Sequence, residues 1–288
     1  MNNIGIFGAS SLVGQCVLTQ LSNTTNQQVF AFSRRPKKNK EKDNIHWLNI
    51  AEYQPTIAIT HWLYLAPIWT LPEYFNLLEQ SQVKRIIVLS STSITGKKSS
   101  KNPKEIATIQ QLQQGEQQLK TWANTQHVEY VILRPTLIYG LGQDKNISEI
   151  IRFIKRLHFF PLFGAAEGLR QPIHAREVTQ AALRLININY KLKRSLYTIS
   201  GGSTLSYREM VTQIFIALNK KPLFLPIPLS LFRLAISLLH RIPRYQHWSA
   251  TMAERMNQNL IFDNKNACDD FNYQPQPFSL SDDDINIK

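Results

Sequence analysis

A short apolar run that breaks into a turn of small residues opens the chain. Ile4 to Phe7 runs into Gly8, and Gly14 completes a Gly-x-x-Ser-x-x-Gly spacing in which Ser11 replaces the middle glycine. Small side chains in such a turn let backbone N–H groups and a helix start approach a diphosphate. The pattern predicts a strand, a dinucleotide-binding turn and a helix, and an ordinary strand–turn–helix unit is the alternative. The residues predicted to contact the cofactor here are Gly8, Ser10, Ser11, Leu12, Val13 and Gly14.

A second apolar run, Val29–Ser33, lies where the next strand of a βαβ unit belongs. It leads into Arg34 and Arg35, at the place where an NAD-selective site carries an acidic residue. Because a guanidinium can pair with the 2′-phosphate of NADP, we predict NADP as the cofactor, held by Ser33, Arg34 and Arg35, with NAD as the alternative. A solvated basic loop is the other interpretation, since four lysines follow: Lys37, Lys38, Lys40 and Lys42.

Strand-like and helix-like patterns alternate over the first half of the chain. The strand-like runs cover residues 62–67, 84–91 and 128–134, and the helical patterns cover 71–80 and 104–124. This alternation predicts an α/β fold with a doubly wound, Rossmann-type parallel sheet. The first of these runs ends in Ala66 and Pro67, which we also expect to contact the cofactor.

Beyond about residue 142 the pattern changes to longer helices and proline-rich connections. We therefore predict a dinucleotide-binding domain over 1–142, completed by later returning segments. A smaller substrate-binding lobe is predicted over 143–288.

Composition narrows the function classes. The chain of 288 residues is 43% hydrophobic with a formal net charge of +13. Its basic residues are dispersed apart from the cluster at 34–42, so we expect a phosphorylated small-molecule ligand and no nucleic acid. Two distant cysteines, no metal-ligand spacing and no signal-peptide pattern predict reduced thiols, no metal and a cytoplasmic location.

Residues 222–243 are strongly apolar but are interrupted by three early prolines, Arg233, His240 and Arg241. The helical part, about 230–239, is too short to cross a bilayer. We expect a buried or surface-docking helix, with peripheral membrane contact as the alternative.

Three further segments carry a family resemblance: "VKRIIVLSSTSITG", "LRPTLIYG" and "QPIHAREVTQAA". With the N-terminal turn, their order resembles the extended short-chain dehydrogenase/reductase superfamily, in its nucleotide-sugar epimerase/dehydratase branch. The resemblance implies a catalytic hydroxyl at Ser91, cofactor contacts at Ser90 and Pro135, and an Arg-Pro-x-x-x-Tyr-Gly segment at Arg134–Gly140 beside the nicotinamide and the substrate cleft.

The chain departs from the family at one point of chemistry. The family uses a Tyr-x-x-x-Lys pair on the helix after the Ser strand for proton transfer. No tyrosine occurs between Tyr74 and Tyr130, and the matching positions are Thr108/Leu112 or Ile109/Gln113. The sequence is therefore similar to atypical members of the superfamily.

Two function classes stay open. The first is an NAD(P)-dependent oxidoreductase, epimerase or dehydratase in which Tyr139 and His174 take over acid/base work. The second is a non-catalytic NADP-binding sensor, assembly factor or scaffold. Structural alternatives for these two residues are that Tyr139 packs the turn before Gly140 and that His174 caps a helix.

The C-terminal half offers one candidate ligand contact. Arg170, in the segment 164–172, could bind a phosphate of a nucleotide-linked sugar, with Tyr139 as a second substrate contact, although a solvated loop cation is the alternative. Ser206 and Glu209 have the spacing of a capping box. The run 244–248 could stack a ligand base or seat the preceding helix, and the acidic end at Asp282–Asp284 is predicted to fray.

Overall fold

A computed structural model describes residues 3–24, 27–36, 44–98, 100, 102–230, 232 and 250–286. The strands are β1 (Ile4–Phe7), β2 (Val29–Ser33), β3 (Ile45–Asn49), β4 (His61–Tyr64), β5 (Arg85–Leu89), β6 (Glu129–Pro135), β7 (Ile138–Tyr139), β8 (Phe160–Phe163), β9 (Leu169–Arg170), β10 (Ile173–His174), β11 (Leu196–Ile199), β12 (Leu205–Ser206) and β13 (Phe224–Ile227). The α-helices are α1 (Leu12–Leu21), α2 (Phe75–Gln80), α3 (Ser93–Gly96), α4 (Pro103–Thr125), α5 (Ile147–Leu157), α6 (Ala175–Ile186), α7 (Tyr207–Ala217), α8 (Ala250–Arg255), α9 (Lys265–Phe271) and α10 (Asp282–Ile285).

Seven strands form one parallel sheet in the order β11-β6-β5-β4-β1-β2-β3. From β1 the chain proceeds outward through β2 to β3 and then returns to the other side of β1 at β4. The carboxyl ends of β1 and β4 therefore meet where the strand order reverses, the place at which ligands bind in open α/β sheets. The predicted doubly wound parallel sheet is confirmed, and β3 adds an edge strand that the sequence analysis did not identify.

The side chains of β1 alternate between two hydrophobic layers, one on each face of the sheet. Ile4 and Ile6 face the layer under α1 and α6, and Phe7 faces an aromatic layer that includes Trp62 and Tyr64. The aromatic layer is covered by α4 and by the 3-10 helix Ile68–Tyr74, which directly precedes α2. The helix predicted over 71–80 is therefore divided into a 3-10 part and an α-helical part, because Pro72 lacks the backbone N–H of a regular α-helix. A third cluster includes Ile151, Phe163 and Met210, and we call the elements packed around it, chiefly α5, β8, α7 and β13, the C-terminal lobe.

Segments from the second half of the chain complete the main sheet. β11 pairs with β6, placing Leu196 opposite Ile132, and α6 packs on α1. In α7, the predicted capping box is confirmed, since the Ser206 hydroxyl accepts from the Glu209 N–H at 3.1 Å.

The acidic end of the chain does not fray, so that prediction is wrong. Asp282–Ile285 is helical, and Asp284 is only 3% exposed because its carboxylate accepts hydrogen bonds from the body of the protein. The four lysines at 37–42, on which the basic-loop interpretation rests, lie outside the described residues. So do the run 244–248 and, except at 230 and 232, the helix predicted over 230–239. Within the described part of the chain, no helix has the length and apolar character needed to cross a bilayer.

Candidate active site

The turn after β1 is shaped by two glycines that leave no room for a side chain. Gly8 has φ +75°, and a Cβ there would lie 2.7 Å from the backbone nitrogen of Ala66. A Cβ on Gly14 would lie 2.3 Å from the carbonyl oxygen of Gly8. The turn therefore packs tightly against α1 and the end of β4, as a diphosphate-binding turn requires. The residues present fit a dinucleotide.

Ser11, which replaces the middle glycine, is the N-cap of α1. Its hydroxyl accepts from the Gly14 N–H at 3.1 Å. The N–H groups of Leu12 and Val13 lie in the first helical turn, where intrahelical carbonyls do not reach. Together with the positive end of the helix dipole, these groups suit an anion.

The end of β2 lies beside this turn. Ser33 and Ser10 share a hydrogen bond between their hydroxyls at 3.2 Å, and the Ser33 hydroxyl also accepts from the Arg35 N–H at 3.1 Å. Arg34 and Arg35 are exposed at this edge. The turn and the basic strand end are thus one continuous surface, with Ala66 following β4 next to Gly8.

A largely buried ion pair lies at the ends of β5 and β6. Glu116, on α4, accepts from the Nε of Arg134 at 2.8 Å and from a second guanidinium nitrogen, and it also accepts from the Ser90 hydroxyl. Sequence reasoning missed Glu116. The available signal was its place on the buried stripe of α4 between Leu112 and Leu119, where a lone carboxylate needs a partner.

Beside this ion pair, a cavity of about 280 Å³ opens between the sheet edge and the C-terminal lobe. Ser91 lines it, and its hydroxyl donates to the Ser93 hydroxyl at 3.0 Å. Two cations, Lys97 and Arg170, line the same cavity. The described lining residues include no carboxylate: Ser91, Thr92, Ser93, Gly96, Lys97, Thr136, Leu137, Ile138, Asn146, Arg170, Gln171, Leu260 and Phe262.

Arg170 is a buried cation in the wall of this cavity. It is 4% exposed, and its guanidinium donates to the carbonyls of Leu169, Gln258 and Arg255 and lies over the Tyr207 ring. Burial lowers the pKa of the guanidinium. The alternative of a solvated loop cation is wrong, because the segment forms β9 against β12.

Lys97 is linked to the C-terminal lobe through Glu105, whose carboxylate pairs with both Lys97 and Arg255. Glu105, in the first turn of α4, lies 3.0 Å from the Lys97 Nζ, accepts from the Ser100 hydroxyl at 2.6 Å, and is paired with Arg255. Burial raises the pKa of Glu105, but these hydrogen bonds and cations together lower it below its ordinary value. The cluster joins the sheet edge to the C-terminal lobe.

Tyr139 and His174 do not line this cavity. The Tyr139 ring is 2% exposed, its hydroxyl donates to the Ser279 carbonyl at 2.9 Å, and burial raises its pKa far above the ordinary value. The Nε2 of His174 lies 3.0 Å from Asp284, and its Nδ1 accepts from the Arg176 N–H, so His174 caps α6. Both residues line a second cavity, against the C-terminal segment 276–284.

The structure thus brings Ser91 together with Arg170, and Gly8, Ser11 and Ser33 with Arg34, but it does not bring Tyr139 or His174 to Ser91. Their catalytic roles stay predictions. Among the described residues, no group of three or more His, Cys, Asp or Glu side chains could hold a metal ion.

Comparison with known proteins shows that part of the chain is similar to a known family. Residues 73–197 match the NAD dependent epimerase/dehydratase family. A UDP-glucose 4-epimerase of Vibrio cholerae is 27% identical over 172 residues, which cover 55% of this chain and 52% of that protein. The match therefore spans about half the length of this curated relative.

Solved structures of low identity share the fold over nearly the whole chain. A UDP-glucuronic acid 4-epimerase from Bacillus cereus in complex with NAD superposes with a TM-score of 0.71 at 13% identity, covering 96% of this chain and 92% of that one. A dTDP-glucose 4,6-dehydratase from Bacillus anthracis in complex with NAD gives 0.68 at 12% identity, covering 97% and 93%. The family resemblance read from the sequence is confirmed by the match over residues 73–197, and the Rossmann-type fold by these structures.

Proposed function

We propose that this chain, with its NAD-dependent epimerase/dehydratase domain, binds a nicotinamide dinucleotide and acts on a nucleotide-linked sugar. One observation carries the proposal. The cavity that holds Ser91 is lined by the cations Lys97 and Arg170, without a carboxylate among its described lining residues, and it opens at the carboxyl edge of the sheet. Such a cavity favours a ligand that bears phosphate groups.

For the cofactor, the turn at Gly8, Ser11 and Gly14 would hold the diphosphate, and Ser33 with Arg34 would hold the adenosine ribose. The residues at or just after the ends of β4, β5 and β6 would contact the rest of the cofactor: Ala66, Pro67, Ser90 and Pro135. A bound nicotinamide supplies a hydride acceptor and donor. Arg34 supports a preference for NADP, because a guanidinium pairs with a 2′-phosphate.

For the substrate, the ligands of structures with the same fold indicate the chemical class, a nucleotide-linked sugar. Solved structures with this fold contain UDP-glucose or UDP-glucuronic acid together with NAD. In this chain, Arg170 and Lys97 would bind the diphosphate, and the Ser91 hydroxyl would hydrogen-bond a sugar hydroxyl or carbonyl. The network between Ser90, Glu116 and Arg134 would hold the strand ends in place.

A non-catalytic function is the second candidate, and a specific contact favours it. The Thr108 hydroxyl donates to the Lys104 carbonyl of its own helix, and Leu112 is buried. Neither Thr108 and Leu112 nor the alternative match, Ile109 and Gln113, offers a side chain that can act as a general acid or base. In this second function the protein would bind the dinucleotide and the sugar nucleotide without turnover.

Titration calorimetry with NADPH, NADH, UDP and UDP-glucose tests the proposal, followed by an assay for epimer or dehydrated product. We expect NADPH to bind more tightly than NADH, and Arg34→Ala to reduce that difference by about tenfold to a hundredfold, because a charge-assisted contact contributes about 1.5–3 kcal/mol. Lys191→Ala, an exposed cation away from the turn, is the matched control.

The outcomes separate the alternatives. Equal affinities for NADPH and NADH would contradict the NADP preference alone. Tight binding of both ligands without any turnover would favour the non-catalytic function. Failure of the protein to bind either dinucleotide would contradict the proposal as a whole.

A further inference from the structure

One surface of the C-terminal lobe, apart from the Ser91 cavity, exposes three large apolar side chains. Leu157 at the end of α5 is 44% exposed, Leu223 is 58% exposed, and Leu225 in β13 is 49% exposed. These residues lie on elements that contribute nothing to the described lining of the Ser91 cavity. Single exposed leucines are ordinary, but a group of them on adjoining elements marks a contact surface.

Specific contacts bring these elements together. The Lys220 Nζ, after α7, lies 2.9 Å from the Nδ1 of His158, directly after α5. The Phe160 N–H then donates to the Leu223 carbonyl at 2.9 Å, and β13 continues alongside β8. The end of α5, the end of α7 and the start of β13 therefore meet on one side of the lobe.

Alternation along β13 sets the direction of its side chains. The Phe224 ring packs edge-on against Phe215 at 5.6 Å and lies under the Arg208 guanidinium. Leu223 and Leu225 belong to the opposite face of the strand, where they are exposed. The side chains of Leu223 and Leu225 are therefore directed away from Phe215 of α7.

Basic residues adjoin these leucines in the sequence. Arg156, Lys220 and Lys221 adjoin them, and Arg156 and Lys221 are exposed. No aspartate or glutamate occurs in the sequence between Glu149 and Glu167, or between Glu209 and Glu254. We define the leucine–lysine surface as Arg156, Leu157, Lys220, Lys221, Leu223 and Leu225.

We propose that the leucine–lysine surface docks on an anionic phospholipid bilayer, with the basic side chains at the headgroups and the leucines at the acyl boundary. Exposed apolar groups beside cations match an interface whose headgroups are negative and whose interior is apolar. A second copy of the chain is a poor occupant, because self-association through this surface would bring like charges together. The net charge of +13 adds long-range attraction to such a bilayer.

Vesicle co-sedimentation of the full chain tests the proposal. We expect binding to phosphatidylcholine vesicles that contain about 30% phosphatidylglycerol, and little binding to phosphatidylcholine alone. Raising the salt concentration from about 0.1 M to about 0.5 M should weaken the binding, because the headgroup attraction is screened. Equal binding to both kinds of vesicle, or none to either, would overturn the proposal.

Matched variants locate the surface. Lys220→Gln/Lys221→Gln is expected to lower vesicle partitioning by about 30-fold, since each cation near an anionic bilayer contributes about 1 kcal/mol. Leu223→Ser/Leu225→Ser should lower it by about tenfold or more. The controls are Lys191→Gln/Lys193→Gln and Ile57→Ser, where Ile57 is 47% exposed elsewhere in the chain.

Thermal unfolding of each variant verifies that its fold is intact. If a control pair lowers partitioning as much as the lysine pair, non-specific charge explains the binding and the proposal fails. Binding of soluble polyglutamate through the same lysines, without vesicle binding, would assign the surface to an acidic protein and also overturn the proposal.

Discussion

At the scale of single residues, Tyr139 illustrates how a motif residue can serve the fold. Its hydroxyl donates to the Ser279 carbonyl, and its ring packs edge-on against His174 and Phe278 at 5.0 Å. These partners lie in β10 and in the C-terminal segment, away from Ser91. The geometry therefore favours a structural role for Tyr139.

We expect Tyr139→Phe to lower the free energy of unfolding by about 0.5–1.5 kcal/mol, the usual cost of one buried hydrogen bond. Turnover, if the protein is an enzyme, should change little. Urea unfolding and the activity assay check this, with Tyr273→Phe as the control, because its hydroxyl also donates to a backbone carbonyl, that of Ser200. A loss of turnover of about a hundredfold at unchanged stability would restore Tyr139 as the acid/base group.

At the scale of elements, Glu116 ties α4 to the strand ends that form the site. Its carboxylate and the Arg134 guanidinium have side-chain exposures of 11% and 18%. We expect Glu116→Ala to lower the free energy of unfolding by about 3–5 kcal/mol, because it leaves a largely buried guanidinium without a carboxylate. Denaturant unfolding measures the effect.

The exposed pair of Glu149 and Arg152, with side-chain exposures of 62% and 41%, is the matched control. Glu149→Ala should cost less than about 1 kcal/mol, because water solvates both partners. A similar cost for the two variants would show that Glu116 contributes no more than a surface ion pair.

The C-terminal segment, also an element-scale feature, predicts an acid-dependent stability. Burial raises the pKa of Asp284, but hydrogen bonds from His174, Ser281 and Leu141 outweigh burial and depress it well below the ordinary value. The stabilisation is therefore present above about pH 4, the ordinary range of an aspartate, and is lost as the pH falls below it.

We expect the free energy of unfolding to decrease between about pH 5 and pH 2, and Asp284→Asn to make that decrease shallower. Urea unfolding at several pH values measures both. Asp269→Asn is the control, because Asp269 is an exposed residue that pairs with Lys265. An identical pH profile for wild type and Asp284→Asn would contradict the prediction.

At the scale of the whole molecule, the two halves of the chain share one sheet. β11, from the second half, pairs with β6, and α6 covers α1. A fragment of residues 1–142 would therefore expose the edge of β6 and the apolar face of α1. We expect this fragment to lack cooperative unfolding, measured by near-ultraviolet circular dichroism and urea titration. A sharp transition would show that residues 1–142 fold alone.

The sequence by itself determined the local units of this protein. Gly8, Ser11 and Gly14 specified the strand, turn and helix at the start of the chain, and strand and helix patterns in the first half indicated the parallel sheet. These features depend on backbone conformation and on periodicity within a few residues, so local sequence is sufficient to read them. The cap at Ser206 could be read for the same reason.

Only the tertiary structure decided the partners of the charged and polar groups. Arg170 is buried because its guanidinium meets carbonyls about 85 residues further along the chain, and Asp284 is buried because it meets His174, 110 residues away. Glu116 became part of the site through Arg134 on another element. Which distant group satisfies a buried charge depends on how the elements pack, and no local pattern contains that information.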